Sequence, residues 1–330
     1  MVKVGVIGAG GIARQHVAAL MDTPGGRTVT VADIDRSRAE ALAVDCGAEA
    51  ATDYREAIDG VDAVYVCTPP TLHRQHILAA AEAGRAIFTE KPLATTLEDG
   101  EAICDGIEAH GARCMVGFCM RFREPFRRLK AIYDSGDLGE PISYWTTRMS
   151  PSTPDPSNWR ATPGMLCGIT IESASHDIDL LRWMGGDVAS VAAKIACSQP
   201  DIPGFDDNLN ALLNLESGCA ASFTISWSGH VGWNSRGVIG AKGSACVEGP
   251  GMWALTRLRW RTDESGGEQV EEFAEAEAAD MGYLAENRRF IDCVETGAPM
   301  PVTEADGLAA LRVSLAMHEA SETGRIIEVT

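Results

Sequence analysis

Two charged stretches in this chain carry residue types that move protons. The first is Thr89-Glu90-Lys91-Pro92-Leu93-Ala94, placed directly after the apolar run Ala86-Ile87-Phe88. Lysine is scarce: Lys3, Lys91, Lys130, Lys194 and Lys242 are the only lysines among 28 basic residues, and Lys91 has the least routine position. Kept charged, such a lysine stabilises an oxygen that gains negative charge. To act as a base, its pKa must fall from about 10.4 to about 7–8, a shift of roughly 4 kcal/mol. Pro92 disfavours helical geometry at Lys91. The second stretch is Glu172-Ser173-Ala174-Ser175-His176. Residues four apart share one face of a helix, and an imidazole with a pKa near ~6.5 transfers protons readily at neutral pH. Glu172 then orients the ring or holds its positive form. Plainer readings stand beside these. A lysine at a strand end is ordinarily surface, and a histidine opening an apolar helix is ordinarily satisfied structure.

A third stretch binds rather than reacts. Strand-like Val2–Ile7 runs into Gly8-Ala9-Gly10-Gly11-Ile12-Ala13, a G-x-G-x-x-A pattern at a strand-to-helix turn. Gly8 permits the tight turn, Gly10 lets the backbone approach a pyrophosphate, and Ala13 allows close helix–sheet packing. The helix N-terminus, with Gly11 and Ile12, turns free N–H groups toward the phosphates. The next apolar run, Thr28–Ala32, ends in Asp33, 20 residues past Ala13. An acid there hydrogen-bonds an adenosine ribose and repels a 2′-phosphate. Motif and acid together predict a bound dinucleotide, NAD in preference to NADP; Arg36 and Arg38 read as helix surface. Ligands of a doubly wound sheet lie beyond the carboxyl ends of its strands, so Thr68 and Pro69, after the run Asp62–Cys67, are expected to border the cofactor. His73 is a further cofactor candidate, with capping or packing as its alternative. Glu90 is assigned to the cofactor side. His16, His76 and His110 read as structural.

The elements that must position these residues follow from periodicity. Over the first 120 residues, apolar runs alternate with 3.6-spaced segments at Ile12–Met21, Ser37–Val44, Leu72–Ala83 and Leu97–Ala109. That alternation predicts an α/β doubly wound parallel sheet, a Rossmann domain, over residues 1–120. Residues 121–330 read as a second, α+β domain. It has helices at Pro125–Ser135 and Ser173–Met184 and an irregular proline-rich stretch from Ser150 to Gly168. Strand runs follow at Val188–Cys197, Asn208–Leu215, Ala220–Trp227, Gly237–Ile239, Ala245–Glu248 and Trp253–Trp260. Strands in succession without helices predict a mostly antiparallel sheet. The acidic segment 271–280 reads as a solvated loop, and helical patterns at Met281–Glu295 and Thr303–Glu322 close the chain.

Composition narrows the partners. A net charge of −19 argues against nucleic acid and anionic membrane surfaces. The ten cysteines form no C-x-x-C pair and several sit in apolar runs, so they read as buried hydrophobes, with no metal site and no disulfide framework. No leader-like pattern precedes the first strand and no apolar stretch reaches membrane length, so the expectation is a cytoplasmic protein.

Taken together, GAGGIARQH, CTPPTLH at 67–73, AGRAIFTEKPLA at 83–94, ESASHDIDLLRWMGG at 172–186 and GVIGAKGSACVEG at 237–249 resemble the sugar and cyclitol dehydrogenases built around glucose–fructose oxidoreductase and inositol 2-dehydrogenase. E-K-P after a strand, followed by H-x-x-D-x-x-x-W on a later helix, is the specific part. The resemblance implies a Rossmann domain followed by an open sheet that shapes the substrate pocket and forms the interface of a homo-oligomer, a dimer or tetramer. It implies that Lys91, Glu172 and His176 form a catalytic set, with His176 as general acid/base and Lys91 touching both cofactor and substrate. Glu172 departs from the aspartate usual in inositol dehydrogenases. Arg121 joins the expected cofactor contacts. Asn158, Trp159, Arg160, Asp179, Trp233 and Tyr283 are the expected substrate contacts. The implied activity is NAD-dependent oxidation of a secondary hydroxyl on a sugar, glycoside or cyclitol. The rivals are an NADPH-dependent keto-sugar reductase and a non-catalytic dinucleotide sensor.

Overall fold

The run Val2–Ile7 forms β1, buried along its length save for Lys3, and the rest of a parallel sheet builds outward from it. In the computed structural model, which describes all residues except 153–158, 163, 166, 252 and 330, the chain divides into two units. The first comprises Met1–Cys119 with Gly282–Leu311, the second Met120–Met281 with Arg312–Thr330.

The first unit continues with α1 (Gly11–Met21), β2 (Gly26–Ala32), α2 (Arg36–Cys46), β3 (Glu49–Ala51) and β4 (Ala63–Val66). Next come α3 (His73–Glu82), β5 (Ala86–Thr89), α4 (Leu97–His110) and β6 (Cys114–Val116). The six strands lie in the order β3-β2-β1-β4-β5-β6, and every pairing is parallel. This is the doubly wound Rossmann order, whose direction reverses beside β1 and opens a crevice at the strands' carboxyl ends. Strand β3 was not among the expected runs. It is three residues long at the sheet edge and carries no apolar run of its own.

The second unit opens with α5 (Glu124–Asp134), β7 (Pro141–Pro151) and α6 (Ser175–Gly185). Strands β8 (Val188–Ala196), β9 (Asn208–Leu215), β10 (Ala220–Ser226), β11 (Ser228–Gly240), β12 (Gly243–Gly249), β13 (Arg257–Thr262) and β14 (Gln269–Glu272) follow, then α7 (Glu275–Ala279). Helices α8 (Tyr283–Thr296) and α9 (Glu304–Thr323) and strand β15 (Ile327–Glu328) end the chain. The sheet order is β14-β13-β12-β11-β7-β10-β9-β8-β15, antiparallel except for the parallel β10–β7 pair. Strands β9 and β10 alternate buried and exposed residues, as expected of a sheet covered on one face.

Three expectations need correction. Strand β7 was not anticipated, although it stands in the middle of the sheet. Its inward positions include Thr146 and Arg148, so it lacks an apolar alternation. The acidic segment 271–280 is not a loop: it holds the end of β14 and the short helix α7. The third concerns α8, placed by expectation in the second domain. It belongs to the first unit, because Phe290 inserts edge-on into the stacked pair Tyr65 and Phe88, whose rings lie 4.7 Å apart. The guanidinium of Arg113 ties the end of this segment by donating to the carbonyls of Cys293 and Ala298.

Phe290 is fully buried. Truncating it leaves a cavity under the sheet, so Phe290→Ala is expected to destabilise the first unit by about 3–5 kcal/mol. Urea unfolding followed by tyrosine fluorescence and circular dichroism measures the loss.

Candidate active site

The turn after β1 exists because residue 8 has no side chain. Gly8 adopts φ +94°, and a Cβ there would stand 2.8 Å from the Cys67 carbonyl oxygen and 3.1 Å from the Thr68 nitrogen. The β1 and β4 chain ends can therefore touch only at a glycine. The contrast with Gly10 and Gly11 is informative, since a Cβ at either would meet nothing within 4 Å. The space above them is open. Gly10 caps α1 without any side-chain hydrogen bond, and no acidic residue occupies the first turn. The positive end of this helix is thus left for an anion.

Asp33, just after β2, accepts the Ala9 N–H at 2.7 Å with one carboxylate oxygen and the Asp35 N–H at 2.8 Å with the other. Each oxygen keeps a lone pair for a ribose hydroxyl. Arg36 bonds Glu40 at 2.7 Å and Arg38 faces Asp35 at 3.4 Å, the helix-surface roles expected of them. These residues fit an NAD-type dinucleotide. Gly8, Gly10, Gly11 and the start of α1 would hold its pyrophosphate and Asp33 its adenosine ribose.

His73 has another occupation than the expected cofactor contact. Its ring is fully buried, with Nε2 2.9 Å from the Thr68 carbonyl and Nδ1 3.3 Å from the Leu93 carbonyl. It fastens the segment after β4 to the segment holding Lys91. Burial, the largest influence, keeps its pKa below the ordinary imidazole value, and burial likewise pushes His76 down to about 4. His76 bonds the Thr68 hydroxyl at 3.1 Å and packs edge-on against Tyr54. Thr68 and Pro69 remain half-buried at the carboxyl end of β4.

Lys91 follows β5, half-buried, with a cis bond to Pro92. The Glu90 carboxylate accepts the Lys91 N–H at 3.1 Å, and its other oxygen is 2.8 Å from His16 Nε2. Tyr283, expected among substrate contacts, sets its ring edge against His16 at 5.5 Å.

In the second unit, Glu172 lies on a π-helical turn, Ile169–Ser173, and α6 itself begins at Ser175. The expected continuous helix from Ser173 is therefore interrupted, and simple i,i+4 geometry does not relate Glu172 to His176. Such wider turns recur at functional sites. Arg160 grips Glu172 with two hydrogen bonds, 2.8 and 3.1 Å long, and lays its guanidinium 4.7 Å over the Trp159 ring. Burial works against charge on Arg160, but Glu172 outweighs it and raises the pKa. His176 is 4 % exposed and stands edge-on to Trp253 at 6.2 Å.

Asp179 and Arg121, expected to contact substrate and cofactor separately, are joined to each other. Two bonds of 2.8 and 2.5 Å tie them, and Asp179 is fully buried. Trp233 was also expected among the substrate contacts. It is 42 % exposed on β11, while its neighbours Asn234 and Arg236 point toward α6. Pleat alternation puts Trp233 on the opposite face of the sheet. Asn158 lies outside the described residues.

The sequence reading missed a buried cluster beneath α6. Asp177 receives Arg148 at 2.8 Å and Arg236 at 2.6 Å, and Arg148 also donates to the Ser173 hydroxyl at 2.9 Å and lies 4.9 Å from the Trp253 ring centre. Two guanidiniums thus share one carboxylate. The available signal was an arginine at inward positions of two adjacent strands. Among the described residues no group of histidine, cysteine or acidic side chains could hold a metal ion, and no helix is long and apolar enough to cross a membrane.

Residues 2–118 match an oxidoreductase family with an NAD-binding Rossmann fold, and residues 126–246 match the GFO/IDH/MocA C-terminal domain. Inositol 2-dehydrogenase 3 of Saccharopolyspora erythraea is 30% identical over 336 residues, spanning 99% of this chain and 95% of that protein. The inositol 2-dehydrogenase of Rhizobium meliloti is 31% identical over 319 residues, with 95% and 94% spanned. Levoglucosan dehydrogenase in complex with NADH and levoglucosan superposes with a TM-score of 0.89, at 23% identity over 99% of both chains, a likeness of fold.

The open space at Gly10 separates binding from stability. Gly10→Leu is expected to leave Tm within about 2 °C of the parent, while NAD affinity by isothermal titration falls more than about tenfold, roughly 1.4 kcal/mol.

Proposed function

The chain belongs to the Gfo/Idh/MocA oxidoreductase family, and on that premise we propose that it is an NAD-dependent dehydrogenase oxidising a secondary hydroxyl of a cyclitol, sugar or glycoside. The observation that carries this reading is one chain holding both an uncapped glycine turn tied to Asp33 and the set Lys91, Glu172 and His176. The relatives named inositol 2-dehydrogenase, matched over nearly their whole length, support a polyol ring as substrate.

Bound nicotinamide supplies the acceptor for the hydride leaving the carbinol carbon. The chain's own residues handle the proton and the charge. His176 accepts the hydroxyl proton as general base. Lys91, kept charged, stabilises the oxygen as it becomes alkoxide-like. Glu172, already held by Arg160 through both oxygens, orients rather than reacts. Trp159 and Arg160 supply a stacking face and polar contact for the ring, and Asp179 acts through Arg121. NAD is preferred because Asp33 is fixed at the ribose position while Arg36 and Arg38 are engaged along α2.

The protein is proposed to act in the cytoplasm and to self-associate through the sheet face opposite α6. The centre of that face is uncharged, with Asn210, Leu212, Asn214, Ser222 and Thr224 outward on β9 and β10. In a chain of net charge −19 such a surface is suited to a second copy.

Four measurements test this reading. In an NAD-reduction screen over inositols, aldoses, amino sugars and glycosides, at least one polyol should turn over. Lys91→Ala should then lower kcat by about 10³-fold or more with NAD affinity retained, and near-normal turnover would end the assignment. Asp33→Ala should raise relative use of NADP; better use of NADPH than NADH by the parent contradicts the Asp33 argument. Leu212→Arg should shift the mass seen by light scattering from oligomer to monomer.

A further inference from the structure

A histidine with no exposed surface stands 2.8 Å from the carboxylate beside Lys91, and the chemistry described so far gives it no task. His16 lies on α1, five residues after Gly11, and is 0 % exposed. Both ring nitrogens are satisfied: Nδ1 is 2.9 Å from Asn287 Nδ2, and Nε2 is 2.8 Å from Glu90 Oε1. The amide of Asn287 is oriented without ambiguity, because its Nδ2 also donates to the Tyr283 carbonyl at 2.8 Å, where only a donor fits. Asn287 therefore donates to Nδ1, which must be the acceptor, and the proton of a neutral His16 lies on Nε2. His16 donates to Glu90, whose other oxygen accepts the Lys91 N–H.

The ring is also confined sideways. Phe88 lies edge-on at 4.8 Å, Tyr283 at 5.5 Å and Tyr65 at 5.7 Å. The cluster thus has an order: Asn287 sets the tautomer of His16, His16 sets the Glu90 carboxylate, and Glu90 sets the backbone at Lys91. Its first histidine sits on the same helix whose N-terminus forms the dinucleotide turn.

We propose that His16 is a positioning residue for Lys91, acting through Glu90. The proposal rests on the reading of Lys91 as a catalytic group. Removing the Nε2 donor leaves a buried carboxylate, 6 % exposed, short of one partner. It then turns, and the Lys91 backbone loses its fixed acceptor. Glutamine can restore the arrangement, since its amide nitrogen donates where Nε2 did and its oxygen accepts from Asn287. Leucine fills the volume without either function.

The test measures kcat and KM for the polyol with the highest turnover in the screen, together with NADH affinity by fluorescence titration. His16→Leu is expected to lower kcat at least 30-fold, with NADH affinity and KM within threefold, and His16→Gln to recover at least tenfold of that loss. A role in packing alone would give equal losses in the two variants, which would overturn the proposal, as would a leucine variant with normal kcat. Should the leucine variant not fold, Glu90→Gln replaces it. That change keeps the shape but removes one acceptor, and kcat must fall at least tenfold with NADH affinity held; an unchanged kcat overturns the proposal. Lys91→Ala separates the two levels. If it retains turnover, the reading of Lys91 fails and this proposal with it. If it is inactive while His16→Leu is normal, only the positioning role falls.

Discussion

The geometry of the first unit depends on a missing atom at residue 8. The chain leaving β1 passes so close to Cys67 and Thr68 that any side chain there would collide with backbone, which cannot yield. That contact fixes where α1 begins and therefore where its uncapped N–H groups point. It also fixes the phase of the helix. Residue 16 is carried inward against Phe88, so the strand-to-helix turn and the distant Lys91 become parts of one packed arrangement. The order of parallel strands matters for the same reason. Because β4 lies directly beside β1, and β5 beside β4, the segments after these strands share the edge where a ligand of such a sheet lies.

The second unit depends on a different constraint, the cost of burying charge. Arg148, Asp177 and Arg236 are almost wholly out of solvent. A buried pair contributes little over an apolar substitute, yet removing one partner costs about 3–5 kcal/mol because the other charge is stranded. A cluster with two cations and one anion is therefore poor as a source of stability. Burial in fact keeps the Arg148 pKa below its usual value, with Asp177 opposing that effect and Arg236 reinforcing it. What the cluster achieves is position. It locks the start of α6, the helix that carries His176, to strands β7 and β11.

Much of this was legible in the sequence, and the boundary of legibility follows physical lines. The glycine turn, Asp33 and the alternating runs of the first unit are local signals, each confined to a few residues. The mixed sheet was legible in strands such as β9, where alternation of apolar and polar residues is regular. It failed at β7, because that strand spends inward positions on threonine and arginine to build the cluster under α6. The sheet face that Trp233 occupies was not legible for a related reason. Face assignment along a strand requires the register, and the register of β11 shifts between Ser228 and Trp233. The assignment of α8 also required three-dimensional information: an amphipathic helix pattern names a buried face but not the surface that buries it. His16 was read as structural from its helical position. That reading was sound about burial and silent about Glu90, since nothing in sequence links residues 74 apart.

The orienting role proposed for Glu172 follows from its partner. A carboxylate receiving a guanidinium fork is held by two charge-assisted bonds, which a proton on it would weaken. Glu172 is in that state with Arg160. The carboxylate reaches from a π-helical turn to Arg160, and the pair, without net charge, lies next to Trp159. Glu172 is therefore best understood together with Arg160, as one ion pair beside Trp159.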